Sequence, residues 1–169
     1  VPERVQDEAP ASINVFPYGA VKNSMNQDIA IGGYGIWWPG LTKDGNAYGQ
    51  QMKGIHDLVI TESWREGLAM WGPLKGIWHS STRAELAGLV IAAHTELPIH
   101  IGIDNKAVVD KANSLRGIAI DLERKGKDDP KKVMKKHWAL QHDGDLWEAF
   151  WIALRCRGAE SMRITKVKG

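Results

Sequence analysis

Between Thr82 and Glu96 apolar residues return at helical spacing, with Leu86, Leu89, Val90 and Ala93 on one side, and Leu97-Pro98 closes the run. This predicts a central helix. Ile99 to Ile103 is a short apolar run that reads as a buried strand, and a strand reached through a helix runs parallel to its neighbour. Upstream, Ser12 to Ala20 begins as an alternating strand through Ile13 and Val15; Pro17 cannot donate to a ladder and should end or bulge it. Ile31 to Trp38 reads as a second strand that stops at the turn signal Pro39-Gly40, so the two predict an antiparallel hairpin. Downstream, Ala107, Val108, Ala112 and Leu115 share a face of a helix over 105–115. A cap-like Asp145 opens an apolar helix to about Arg157, ended by Gly158, and Met162, Ile164 and Val167 mark a last strand.

Three stretches lack this order. Residues 1–11 are acidic, hold two prolines and read as a loose lead-in, with one domain from 12 to 169. Residues 41–76 read as an inserted or variable region, with a third strand around Gly67 to Trp71, an apolar stretch at Leu58-Val59-Ile60, and a solvated face at Glu62, Arg65 and Glu66. Residues 117–142 interleave lysines with acids: by charge pattern this is either a solvated surface excursion or a basic arm for a phosphate backbone, with Trp138 as an apolar anchor.

Composition narrows the class without naming a function. The 169 residues, 43% hydrophobic and 25% charged with a net charge of +2, suit one soluble globular domain with a real core. No apolar run reaches the ~20 residues of a membrane span and no signal-peptide pattern opens the chain, so an intracellular, non-secreted protein is expected. Cys156, the one cysteine, excludes an intrachain disulfide and is expected to be a buried, inert thiol. Most of the eight Trp should be core. A first residue of Val suggests processing or a piece of something longer.

Two acids carry the candidate chemistry. Glu85 lies in the first turn of the central helix and Asp104 ends the strand after it, an arrangement that presents carboxylates to a divalent metal. Each has a structural alternative. Thr82-x-x-Glu85 fits a capping box, and Asp104 could cap the helix that follows it.

In the order hairpin, third strand, helix, strand, helix, basic excursion, helix, strand, the chain resembles a type 1 ribonuclease H domain. Gly32-Gly33-Tyr34-Gly35 is similar to that family's second strand, Ser80-Ser81-Thr82-Arg83-Ala84-Glu85-Leu86 to its first-helix motif, and Ile103-Asp104-Asn105 to the Thr-Asp-Ser ending its fourth strand. Asp145-Leu146-Trp147 and Arg163 to Gly169 resemble its late helix and last strand, in the style of a retroelement-derived member. The resemblance implies an α/β fold with a mixed five-stranded sheet flanked by helices, and Mg²⁺- or Mn²⁺-dependent hydrolysis of the RNA strand of RNA–DNA hybrids. It makes Glu85 and Asp104 the catalytic and metal-binding acids, and it places Thr82, Asn105, Arg124, Lys125, Lys131, Lys132, Lys135, Lys136 and Trp138 on the nucleic acid.

The chain departs from the family in the first strand, where Tyr18 of Phe16-Pro17-Tyr18-Gly19-Ala20 stands at the position of an Asp that bridges both metals. A phenol with a reference pKa of about 10 is a poor Mg²⁺ ligand. Asp28 is the nearest downstream acid but falls in a loop. The family's His loop and last Asp follow the segment matched by Val167-Lys168-Gly169, so the chain reads as degenerate and shortened at that end. Thr82 stands where many members carry an amide. The expectation is at most one weak metal site and lost or severely reduced cleavage; the alternative is a non-catalytic nucleic-acid-binding or scaffolding module, fused to or assembled with a larger polypeptide. A fragment whose missing tail restores activity is the third possibility.

Overall fold

The computed structural model describes residues 1–23, 25–41, 60–76, 78–126 and 136–169. Its strands are β1 (Phe16–Lys22), β2 (Ile31–Pro39), β3 (Ile60–Trp64), β4 (Gly67–Pro73), β5 (Ile99–Ile103) and β6 (Met162–Lys166). Its helices are α1 (Ser81–Ala93), α2 (Lys106–Lys125) and α3 (Gly144–Arg157). The fold is mixed α/β. The expected five-stranded sheet is not what forms. Four antiparallel strands run in the order β1-β2-β4-β3, and β5 and β6 make a separate parallel pair. One parallel bridge, Val15 to Ile101, joins the two, carried by Gly102 N–H donating to Val15 O at 2.9 Å. The extra strand is β3, which pairs with β4 through a turn in which Arg65 and Glu66 both take positive φ.

Pro17 neither ends nor bulges β1. It pairs in register with Ile36, and because the contact with β5 stops at Val15, position 17 lies on a free edge where a missing N–H costs little. Pro17 and Gly19 face α1, and Gly19 is required there. A Cβ at position 19 would strike the backbone of Ala84 and Glu85, so β1 and the first turn of α1 touch main chain to main chain.

α1 packs on β1 and β2 over a core that includes Ile36, Trp38, Met70, Leu86 and Leu89, and α3 covers its other side with Phe150 and Leu154. α2 is twice the expected length. Ala112, Leu115, Ala119 and Leu122 keep one buried face at spacings of three and four, so the helix runs through Gly117 to Lys125, and left-handed Gly126 caps it. The presumed basic excursion therefore begins as ordinary amphipathic helix. α3 likewise starts one residue before Asp145; Asp143 is its N-cap and makes no side-chain cap bond. Cys156 is exposed, because it falls on the outer face of α3. Among the tryptophans whose burial is described, Trp38, Trp147 and Trp151 are buried and Trp37, Trp71, Trp78 and Trp138 are not. The lead-in has no regular structure but is not loose: Val5 and Ala9 donate to Arg157 O and Glu160 O, each at 2.9 Å, and the Pro10 and Ala11 carbonyls accept from the His100 ring. No helix among the described residues is long and apolar enough to cross a membrane.

Arg157 ties the helical layer together. Its buried guanidinium donates to Ala93 O and Thr95 O at 2.7 and 2.6 Å, to Leu97 O, and to Ser161 Oγ at 3.0 Å. Burial pulls its pKa down to about 10. Replacing Arg157 by Met should lower stability by about 3 kcal/mol, since several buried carbonyls lose their donor together. Urea denaturation measures this; a loss under about 0.5 kcal/mol would contradict it.

Candidate metal and nucleic-acid site

Neither candidate acid is a helix cap. The N-cap of α1 is Ser80, whose Oγ accepts from Arg83 N–H at 3.0 Å, so Glu85 lies too far along the helix to complete a capping box with it. The N-cap of α2 is Asn105, which accepts from Val108 N–H at 3.2 Å. Asn105 Nδ2 also donates to Thr82 Oγ1 at 3.2 Å, stitching the first turn of α1 to the end of β5. Two residues expected on the nucleic acid are thus bonded to each other, and they hold the acids' two elements together.

Glu85 Oε2 is buried and has no hydrogen-bond partner. Desolvation first, and the charge of Asp104 second, push the Glu85 carboxyl above its ordinary range, while the Asn105 backbone N–H pulls the other way. The two carboxylates therefore sense each other across the junction of α1 and β5. Asp104 is the open member, its side chain 57% exposed, with Lys166 Nζ 3.6 Å from Oδ1. Gly169 lies against the same carboxylate. No group of three or more His, Cys, Asp or Glu side chains gathers in metal-binding fashion among the described residues.

Tyr18 is 53% exposed and its ring lies over Gly35, its partner across β1 and β2. A Cβ at Gly35 would strike that ring, so glycine there makes the seat for the tyrosine. Asp28 is exposed in the turn before β2. The basic residues do not make one described patch. Arg124 pairs with Glu160 at 3.0 Å and Lys125 with Asp121 at 3.0 Å; Lys136 is exposed, and Lys131, Lys132 and Lys135 lie outside the described residues. Trp138 is half-buried against Trp151, with ring centroids 6.5 Å apart, and serves the fold rather than standing free as an anchor.

The sequence reading missed Arg83. It sits on the side of α1 away from Glu85 and forks onto Asp145 at 2.9 and 2.6 Å and onto Asp143 at 3.0 Å, joining the first turns of α1 and α3. These contacts raise its pKa, the bond to Asp145 most, and that bond holds Asp145 below the usual carboxylate range. The clamp borders a cleft of about 840 Å³ with Trp78, His79 and His142 on its walls, which does not include Glu85 or Asp104. A signal was present in the sequence: Arg83 shares a helical turn with Glu85 but not its direction.

No protein-family model matches this chain, and no match is found among curated proteins or solved structures.

The Glu85 shift gives a signed pH dependence. With the folded pKa raised, the native state keeps a proton that the unfolded chain has released, so this group's contribution to stability falls as pH rises from about 4.5 through the folded value. Without divalent metal, Glu85→Gln should unfold at higher urea than the parent at pH 7, with the difference vanishing toward pH 4. Identical midpoints at pH 7 would remove the case for a strained carboxylate.

Proposed function

We propose that this chain is a ribonuclease H-type nucleic-acid-binding domain that takes up RNA–DNA hybrid and one Mg²⁺ or Mn²⁺ ion, and that its cleavage activity is lost or severely reduced. The observation that carries the reading is Glu85: a carboxylate that feels the charge of Asp104, with Oε2 buried and unpartnered, and that is not part of the α1 cap. All-oxygen donors suit a hard divalent cation, and such a cation would relieve both the desolvation and the mutual repulsion of the pair.

In a complete site of this class, paired metal ions supply an activated water and neutralise the leaving oxygen. Glu85 and Asp104 would hold one ion. The Thr82–Asn105 bond keeps the two acids' elements in register, and the Gly19 contact fixes the height of α1 over β1. Tyr18 supplies no carboxylate, and its ring lies over Gly35 on the sheet face turned away from α1, so a second ion has no anionic oxygen from β1. Binding would draw on the cations between Arg124 and Lys136, acting on phosphates, and would be insensitive to sequence.

A second reading, a non-catalytic scaffold, is favoured by the face of the antiparallel sheet turned away from α1. Phe16 stacks on Trp37 at 5.7 Å there, and Tyr18 and Trp71 flank Gly35 in register. An apolar sheet face of this kind is more often covered than solvated.

The test is a labelled-hybrid assay with Mg²⁺ and with Mn²⁺. The parent chain should bind hybrid with an affinity that drops steeply as salt is raised, and should leave the RNA strand intact. Any cutting that Tyr18→Asp recovers should be abolished by adding Glu85→Ala. Metal-dependent cutting by the parent would show that an acid has been overlooked. No salt-dependent binding by any variant would favour the scaffold.

A further inference from the structure

The geometry points to Lys166 as an exchangeable internal counter-ion that sets how tightly the Glu85–Asp104 pair holds a divalent cation; this rests on the reading of that pair as a metal site. The placement comes from the backbone. β5 and β6 run parallel with Ile103 opposite Lys166, and Val167 N–H donates to Ile103 O at 2.9 Å, so Lys166 and Asp104 are diagonal neighbours at the ends of the two strands. Strand pairing holds Lys166 there, whatever its side chain does.

The side chain completes the arrangement. Lys166 Nζ lies 3.6 Å from Asp104 Oδ1 and donates to Val167 O at 3.3 Å, so the ammonium rests along its own strand end beside the carboxylate. It has no bond to Glu85, whose Oε2 stays unpartnered. The pair thus carries two acidic groups and one close cation. The neighbouring Lys106 is engaged by Asp110 within α2. Both partners of the Lys166–Asp104 contact are about half exposed, and ion pairs of that kind are weak and easily exchanged.

A divalent ion drawn to the carboxylates meets this ammonium at close range, and like charges there oppose binding. Lys166 therefore acts in two directions. It lowers the repulsion felt by the acids when no metal is bound, and it must swing away along the exposed end of β6 when one arrives. No bond is made or broken in the exchange. Sequence alone hid this role, because Lys166 sits between two other basic residues, Arg163 and Lys168, and only the parallel register singles it out.

The experiment is calorimetric titration of Mn²⁺ into metal-stripped protein at fixed salt and without nucleic acid. Four chains are compared: the parent, Lys166→Met, Lys166→Arg and Glu85→Gln. Lys166→Met should bind about threefold to tenfold more tightly than the parent, and Lys166→Arg, which keeps the charge, should stay within about twofold of it. Glu85→Gln should bind more weakly than the parent. Equal affinity of the parent and Lys166→Met would overturn the proposal, and so would equal tightening by Met and Arg, because the effect would then be packing and not charge. If the parent binds no better than Glu85→Gln, the metal-site reading itself falls, and the role of Lys166 with it.

Discussion

Arg157 is a charge with no access to water, and the helical layer is arranged to tolerate it. A guanidinium has five N–H donors, and here they meet the carbonyls of Ala93, Thr95, Leu97 and Ser161 and the hydroxyl of Ser161. The first of these is the last residue of α1, whose unsatisfied carbonyls carry the negative end of the helix dipole. The buried cation therefore closes α1, the turn into β5 and the turn into β6 in one knot. Burial costs it part of its basicity, but carbonyl oxygens at this density stand in for the water it lost.

That knot fixes one end of α1, and Gly19 fixes the other. Where Arg157 draws carbonyls together by charge, Gly19 works by having no side chain, which lets β1 approach the backbone of Ala84 and Glu85. With both ends set, α1 has little freedom to slide over the sheet, and β5, which leaves the Arg157 knot through Leu97, ends beside the first turn of α1. Glu85 and Asp104 lie on the two elements joined there. The helix-capping duties open to either acid are taken by others: Ser80 and Asn105 cap the helices. Glu85 keeps one oxygen, Oε2, buried without a partner, and the surrounding structure holds it in place.

Much of this could be read from the chain alone. The period of Leu86, Leu89, Val90 and Ala93 placed α1, and the apolar run at Ile99 placed β5 and its parallel sense. The misreadings have particular causes. Charged residues from Asp121 onward masked the periodicity that carries α2 to Lys125, since a solvated face and a mobile arm have the same composition. The missing donor of Pro17 signals a strand end in sequence, but its edge is free and β1 runs through it. The capping box assigned to Thr82 and Glu85 is one residue-pair out of phase with the true cap, because Ser80, Ser81 and Thr82 are all able caps and sequence does not choose among them. The partners of Arg83 and Lys166 were illegible for a deeper reason: they lie 60 or more residues away, and only the assembled fold supplies them.

The central claim is that Glu85 and Asp104 form one cation-binding locus at the junction of α1 and β5. Paramagnetic broadening by Mn²⁺ in the amide NMR spectrum tests it most directly, because it reads distance to the ion without requiring activity. At substoichiometric Mn²⁺, resonances of Ala84 to Leu86, Ile103 to Asn105 and Gly169 should broaden first, with those around Arg83's partners Asp143 and Asp145 less affected. Broadening centred on Asp143 and Asp145, or spread evenly over the exposed acids, would contradict the account.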